Sequence, residues 1–231
     1  MRKRLLVIVL VIVLAAAFSV EFLLPQIASN AVAQGMADLT GSQQVKALVT
    51  KSPAMAMLSG SFDSVDVEIR EAKLDKIIFS QLQVHLTGVQ LHRENLFLRR
   101  IITLEQVGEA ALTAVISQEE VARYLNQNVK GVKNAVVTIS TGKMQAVSSV
   151  GLGGFTVAVA VEGRIISDGR KLSFVADRFG LNNAATGNLS GMMLTEIPLV
   201  DLQKLPFGVT VREVILDQGK LTLLADNKPK S

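Results

Sequence analysis

Apolar and polar residues alternate with a period of two through most of the chain, and this alternation limits the fold more than any other feature. Segment 65–70 reads V-D-V-E-I-R, and segment 82–87 reads L-Q-V-H-L-T. Side chains point to opposite faces of a strand in turn, so each of these strands has one apolar and one polar face. Such strands are typical of antiparallel sheets that cover an apolar interior on one side only.

The alternation returns in the second half of the chain, at 136–139, 157–161, 172–174, 209–211 and 221–223. A V-x-V strand, a turn and a second apolar strand recur at 65–86, 157–174 and 209–223, a pattern that resembles repeated hairpins. Segment 180–191 is rich in Asn, Ala, Thr and Ser and is predicted to be a surface loop. Since no Pro-rich or Ser-rich linker interrupts the pattern, we predict one domain over 26–226 and a polar tail over 227–231.

Two segments have helical rather than strand periodicity. The first is predicted over 27–39, ends at Thr40-Gly41, and has an apolar stripe of Ile27, Ala31, Val32, Met36 and Leu39. The second begins near Ser117, which has capping-box spacing to Glu120, and is predicted to end at Gly131, with a stripe of Val121, Ala122, Leu125 and Val129.

The amino terminus carries an export signal. Arg2, Lys3 and Arg4 precede an uncharged apolar run over 5–20, and the apolar character resumes after Glu21 up to residue 24. Small residues at 15–17 would allow signal cleavage, whereas a helix over 5–24 would span about 30 Å and cross a bilayer. Residues 1–25 are therefore a signal peptide or an uncleaved anchor. The anchor is favoured by the positive-inside rule, and either form places the body outside the cytoplasm.

The overall charge does not indicate a nucleic-acid partner. The formal charge is +4, but Arg2, Lys3, Arg4, Lys228 and Lys230 lie at the two ends, so the rest of the chain carries −1. Phosphate binding needs basic residues clustered on a folded face. With 49% hydrophobic residues, the chain is also predicted to be folded and not disordered.

Few residues are suited to catalysis or metal binding. The chain has no cysteine and two histidines, His85 and His92, whose odd separation puts them on opposite faces of a regular strand. No serine lies in a G-x-S-x-G elbow, and the G-L-G-G-F sequence at 151–155 leads into a predicted strand instead of a phosphate-binding helix. We therefore predict no catalytic residue, no metal site and no cofactor.

An interior of Val, Leu and Ile with only 4% aromatic residues in the chain suits flexible alkyl chains. Each buried methylene contributes about 0.8 kcal/mol, so burial of an acyl chain would stabilise a complex strongly. The same alternation would equally build a closed sandwich core, and the residues alone leave both alternatives open.

Several segments, taken in order, resemble the LmeA-like phospholipid-binding family. They are Leu24-Pro25, 52–60 (S-P-A-M-A-M-L-S-G), 82–91 with its T-G-V, the G-E-A of 108–110, the helix over 117–126, Pro198-Leu199 and the L-P-F-G of 205–208. This resemblance covers nearly the whole body. It implies a non-enzymatic cell-envelope protein that binds phospholipid. It also implies an α+β, mostly β fold with a long twisted antiparallel sheet wrapped around an amphipathic helix, similar to tubular lipid-binding domains.

We predict from these observations a membrane-anchored, extracytoplasmic protein that holds or transfers lipid acyl chains. Its partners would be phospholipid and, through the N-terminal helix, the bacterial cytoplasmic membrane, whereas the sequence does not identify a protein partner. The helix over 27–39 would either plug the cavity or lie on the membrane. The predicted apolar lining follows from strand alternation and consists of Val67, Ile69, Leu82, Val84, Leu86, Val159, Val161, Leu172, Phe174, Val209 and Val211.

Two other functions remain open at this point. One is an envelope scaffold whose β surface docks a partner protein and whose core is closed. The other is an enzyme acting on envelope glycolipids, which would need a pair of converging carboxylates that the sequence does not identify.

Overall fold

The computed structural model describes residues 2–74, 76–99, 103–129, 132–152, 155–169, 171–181, 184–188, 196–201 and 208–228. Side chains of the first helix are described from Val20 onward. The described residues are mostly antiparallel β-strand with a few helices, which confirms the predicted α+β, mostly β class.

The described residues include two α-helices and two short helical segments. The α-helices are α1 (Arg2–Thr40) and α2 (Gln118–Asn128). A 3-10 segment covers Ala54–Ser59, and one π-helical turn covers Asn95–Arg99. Among the residues whose side chains the structure describes, which in α1 begin at Val20, no helix combines the length and the hydrophobicity that crossing a membrane requires.

Thirteen strands are found in the described residues: β1 (Gln44–Thr50), β2 (Ser61–Leu74), β3 (Ile77–Leu91), β4 (Leu104–Gln106), β5 (Glu109–Ser117), β6 (Val132–Ser140), β7 (Lys143–Leu152), β8 (Phe155–Ser167), β9 (Lys171–Leu181), β10 (Ala184–Asn188), β11 (Glu196–Asp201), β12 (Thr210–Asp217) and β13 (Lys220–Asp226).

These strands form two sheets where a single sheet was predicted. Sheet A has the order β1-β2-β3-β5-β13-β12, with β4 on β3, and sheet B has the order β10-β9-β8-β7-β6, with β11 on β9. The chain leaves sheet A after β5 through α2, builds sheet B, and returns to pair β13 with β5. Alternation fixes the two faces of a strand but not its neighbours, and for this reason the sequence did not reveal the second sheet. The twist of the sheet and its wrapping around a helix stay predictions.

The predicted hairpins are present. β8 pairs antiparallel with β9, and β12 with β13, while β2 and β3 are hydrogen-bonded neighbours. The loop predicted over 180–191 is wrong in part, because β9 continues to Leu181 and Ala184–Asn188 forms β10, which pairs with β9. Backbone pairing overrides the weak strand preference of Ala, Gly and Asn here. Residues 182–183 and 189–191 of that prediction lie outside the described residues, as does Gly131, the predicted helix end.

The chain divides into two compact units. Unit 1 is Met1–Ile69 with Gln83–Ala110, and unit 2 is Arg70–Leu82 with Ala111–Ser231, so β2 and β3 contribute residues to both. The single domain over 26–226 stays a prediction.

In unit 1 the stripe of α1 that faces the protein differs from the predicted one. Ala28, Val32 and Met36 are buried, whereas Ile27 and Leu39 are more than half exposed, so the prediction was wrong for those two residues. Residues four apart lie on one helix face, and the buried face follows the spacing that starts from Ala28. The helix ends as predicted at Gly41, whose φ is +66°.

Side-chain hydrogen bonds hold α1 to the rest of unit 1. The Ser29 hydroxyl accepts from the Val49 amide of β1 at 2.9 Å, and the Glu21 carboxylate accepts from the Ala54 amide at 3.0 Å. Beside the 3-10 segment, Asp63 accepts from the Lys51 ammonium at 2.7 Å and from the Ser52 amide at 3.0 Å, and these bonds lower the pKa of Asp63. The 3-10 segment is therefore fixed at its start to α1 and to β2.

In unit 2, β12 closes one end of sheet B. The Gly142 amide in the β6–β7 turn donates to the Leu216 carbonyl at 2.9 Å, and the Val211 amide donates to the Gly169 carbonyl in the β8–β9 turn at 3.1 Å. The Thr141 hydroxyl adds a bond to Asp217 at 2.8 Å. Both turns lie at the same end of sheet B, so β12 seals that end.

Helix α2 covers the free edge of sheet B. Asn126 accepts from the Ala135 amide at 2.7 Å and donates to the Ala135 carbonyl at 3.1 Å, and the Gln118 side chain accepts from the Ile139 amide at 3.1 Å. An uncovered edge strand offers unpaired backbone groups to other chains. The amide side chains of α2 pair these groups on β6 instead.

The predicted helix start at Ser117 is confirmed. Its hydroxyl accepts from the Glu120 amide at 3.2 Å, and α2 buries Val121 and Leu125. The Glu120 carboxylate does not complete a capping box, because it accepts from the Ile78 amide of β3 at 2.7 Å and pairs with Arg123. Glu120, in the first turn of α2, therefore ties the helix to sheet A.

We expect Ser117→Ala to lower the free energy of unfolding by about 1 kcal/mol, because the Glu120 amide would lose its acceptor at the helix start. Urea denaturation followed by circular dichroism measures this change. Ser117→Asp supplies another capping oxygen and is the control that should retain most of the stability. Equal losses in both variants would contradict a capping role.

Candidate functional site

Ten of the eleven residues predicted to line the interior are buried, and the eleventh, Val161, is half-buried. Val67, Ile69, Val84 and Leu86 belong to unit 1, and the others belong to unit 2. The inward orientation derived from alternation is therefore confirmed. Contact with lipid stays a prediction for all eleven.

These residues differ in how much of their surface stays accessible. Ile69 and Leu172 are 0% exposed, so protein atoms cover them completely and a ligand could contact them only if the interior opened. Val159 keeps 9% of its surface accessible, and Val161 keeps more. An acyl chain is wider than a water molecule, so residues beside a space for such a chain must keep accessible surface.

The accessible residues meet on β7 and β8. The register pairs Ala146 with Val161 and Ser148 with Val159, and directly paired residues point to the same face of a sheet. Val157 lies two residues before Val159 and shares that face. Ala146, Ser148, Val157 and Val161 are half-buried. We call the five residues Ala146, Ser148, Val157, Val159 and Val161 the open face.

The same face of sheet B becomes closed toward the end that β12 seals. Met144 is buried and pairs with Gly163, and the next inward residue on β8, Ile165, is buried and pairs with Phe174. The Phe174 ring lies over Gly163, where an added Cβ would be 2.8 Å from Phe174 Cζ. Phe174 therefore marks the boundary between the packed core and the open face.

The chemistry of the open face is apolar. Ser148 contributes its one hydroxyl, and the other four members are alanine and valine, which leave more room than larger apolar side chains. The charged residues of β8 alternate with them: Glu162 pairs with Lys143 at 3.1 Å, and Arg164 pairs with Asp177 at 3.9 Å. Because the charges belong to the opposite face, the open face can cover alkyl groups without burying an ion.

Sequence reasoning predicted Val159 and Val161 but missed three members of the open face, Ala146, Ser148 and Val157. Val157 shares the period of two with Val159 and Val161. For Ala146 and Ser148, the available signal was the period of two in 144–150, M-Q-A-V-S-S-V, which puts Met, Ala and Ser on one side. These small and polar residues do not stand out as a lining. Only the register with β8 shows that they share a face with valines.

The two histidines do not form a joint site. His85 Nδ1 lies 2.5 Å from the Asp66 carboxylate in an exposed ion pair, and His92 Nδ1 accepts from the Asn95 amide at 3.4 Å. In the part of the chain that the structure describes, no three His, Asp or Glu residues are grouped to hold a metal ion.

One comparison with known proteins gives a match. The family model described as LmeA-like phospholipid-binding matches residues 20–226, which is nearly the entire body of the chain. No curated protein and no solved structure matches the chain.

Proposed function

Because the chain belongs to the LmeA-like phospholipid-binding family, we propose that it is a membrane-anchored, extracytoplasmic protein that holds a phospholipid acyl chain on the open face and passes the lipid on without catalysis. The observation that carries this proposal is the half-buried apolar surface on the inner side of β7 and β8. Inner faces of small proteins are normally closed, and an accessible one indicates a ligand.

Energetics favour an acyl chain as the occupant. Full burial of a sixteen-carbon chain contributes about 12 kcal/mol at about 0.8 kcal/mol per methylene. A protein that takes lipid from a bilayer must replace most of that contribution. Uncharged valine and alanine side chains beside a hydrophobic core supply apolar surface for this purpose, and they impose no fixed ring geometry on a flexible chain.

The anchor and the location rest on the sequence of the amino terminus. Residues 5–24 are long enough to span a bilayer as a helix, with Arg2, Lys3 and Arg4 on the cytoplasmic side. The body would then lie on the extracytoplasmic side, next to its lipid supply. The scarcity of groups suited to acid-base or nucleophilic chemistry supports a binding role over an enzymatic one.

Photo-crosslinking tests the proposal with the full chain in proteoliposomes. The vesicles contain a phospholipid with a diazirine near the middle of one acyl chain, and crosslinked peptides are identified by mass spectrometry after irradiation. We expect crosslinks on residues 146–148 and 157–161, and we expect excess unlabelled phospholipid to compete for them. Crosslinks confined to residues 5–24, which any anchored protein would give, would overturn the proposal.

The outer face of sheet B favours the scaffold as a second candidate function. Val136 is 64% exposed and pairs with Val147, which is also exposed, so neighbouring apolar side chains of β6 and β7 face away from the interior. Exposed apolar surface can mark a protein partner. Absence of crosslinks from the open face, combined with loss of a partner in Val136→Asp, would favour the scaffold.

A further inference from the structure

Unit 1 exposes a group of large apolar side chains that its own core does not use. All are more than half exposed, and Leu98 is the most exposed at 81%. They lie on α1, on the 3-10 segment and on the π-helical turn. We call this group the apolar collar: Phe22, Leu23 and Ile27 of α1, Met55 and Leu58 of the 3-10 segment, and Leu98 of the π-helical turn.

Hydrogen bonds join the 3-10 segment of the collar to α1 and to β3. The Glu21 carboxylate accepts from the Ala54 amide at 3.0 Å, which fixes the start of the 3-10 segment beside α1. The end of that segment lies against the end of β3, because the Leu91 amide donates to the Gly60 carbonyl at 2.8 Å and the Gln90 side chain donates to the Ser59 carbonyl at 2.9 Å.

The π-helical turn follows directly after β3. It contacts α1, as the 3-10 segment also does. His92 connects β3 to it, with its amide bonded to the Thr103 carbonyl at 2.9 Å. The exposed apolar residues on the three segments therefore belong to one region of unit 1.

The position of Glu21 along α1 determines what the collar faces. If residues 5–24 span the bilayer, Glu21 lies within the last turn of the span, since one turn covers 3.6 residues. Phe22 and Leu23 are then at the membrane boundary. Because Ala54 is hydrogen-bonded to Glu21, the 3-10 segment must lie at that boundary as well.

The residues around Leu98 also fit a membrane surface. The sequence there reads R-E-N-L-F-L-R-R over 93–100, and both Arg93 and Arg99 are exposed. Apolar side chains flanked by arginines are typical of segments that insert into the headgroup region, where the guanidinium groups contact phosphates. A second copy of the chain would not require this basic flank.

We propose that the apolar collar inserts into the boundary between headgroups and acyl chains of the bilayer that α1 spans. This inference rests on the anchoring part of the proposed function, and it adds that the body contacts the membrane through three segments and not through α1 alone. The lipid surface is the occupant, and it covers apolar side chains that would otherwise stay in water.

The absence of cysteine from the chain allows a direct test. Single-cysteine variants Met55→Cys and Leu98→Cys of the full chain are labelled with an environment-sensitive nitrobenzoxadiazole probe and reconstituted into vesicles of phosphatidylglycerol and phosphatidylethanolamine. Leu39→Cys is the matched control, because Leu39 is similarly exposed and lies on α1 about 25 Å beyond Phe22 along the helix.

We expect the probes at residues 55 and 98 to shift to shorter emission wavelength and to be quenched at least threefold more than the probe at residue 39 by lipids with a nitroxide near the headgroup. Emission typical of water at residues 55 and 98, in protein that floats with the vesicles, would overturn the inference and leave the anchor intact. If the probe at residue 39 were quenched as strongly as the probes at residues 55 and 98, the assignment of membrane contact to the collar would be overturned. Shifted emission without quenching would indicate a second protein chain as occupant and would also overturn the inference.

Flotation separates this inference from the proposed function. Full-length protein that fails to float with vesicles, or that dissociates in alkaline carbonate, would show that the anchor is wrong. Acyl-chain crosslinking to the open face is measured independently of the probes. A result against the collar therefore leaves the assignment of the open face to lipid unchanged.

Discussion

Ala146→Trp is expected to reduce acyl-chain crosslinking on the open face at least tenfold while the protein remains folded. Ala146 is half-buried and lies directly opposite Val161 on the neighbouring strand. An indole at this position would occupy the volume that we assign to the acyl chain. Because the site is already partly open, the larger side chain need not distort the packed core, so its main effect falls on the ligand.

The matched control is Val136→Trp, which adds the same side chain to the outer face of sheet B at a residue that is 64% exposed. Crosslinking yield and thermal unfolding are measured for both variants. Full crosslinking in Ala146→Trp would contradict the open face as the lipid site. Equal loss in both variants would point to a general disturbance of sheet B.

A tryptophan in the closed part of the interior would not distinguish a lipid site from a closed core. Phe174 is buried, and its ring lies over Gly163, so Phe174→Trp would overpack the core whether or not the protein binds lipid. Val84 is buried in the same way. The informative substitutions are therefore on the half-buried residues.

Gly163→Ala is expected to give a large loss of stability. The added Cβ would lie 2.0 Å from the Val175 carbonyl oxygen and 2.9 Å from Ala176 Cα, and both are backbone atoms of the paired strand. Neither atom can rotate away, so β8 and β9 would have to separate at the bulge beside Gly163. We expect a loss of about 3 kcal/mol in the free energy of unfolding, equivalent to a fall of about 10 °C in Tm.

Gly142→Ala is the control for this prediction. Gly142 has a φ of +73°, and an added Cβ there would meet no atom within 4 Å. Its cost is limited to the left-handed backbone conformation, about 1 kcal/mol. Calorimetry on both variants measures the difference. A Tm for Gly163→Ala as high as that of Gly142→Ala would contradict the close packing of β8 against β9.

The sequence was sufficient to predict features that depend on residues close together along the chain. Alternation correctly identified the inward side of the strands, including Val67, Leu82 and Phe174, because the direction of a strand side chain is set by the local backbone. The cap at Ser117 and the helix end at Gly41 were also local. The order of turn and core residues along the sequence was sufficient to indicate the LmeA-like phospholipid-binding family.

Only the tertiary structure decided which inward residues are closed and which are accessible. Leu172 and Val161 are both apolar residues of strands with a period of two. Leu172 is nevertheless fully covered, whereas Val161 is half-buried. The difference arises because β12, from a distant part of the chain, seals one end of sheet B at Gly142 and Gly169 and leaves β7 and β8 less covered farther along. Local sequence determines where a side chain points, whereas the depth of its burial depends on segments that meet only after folding.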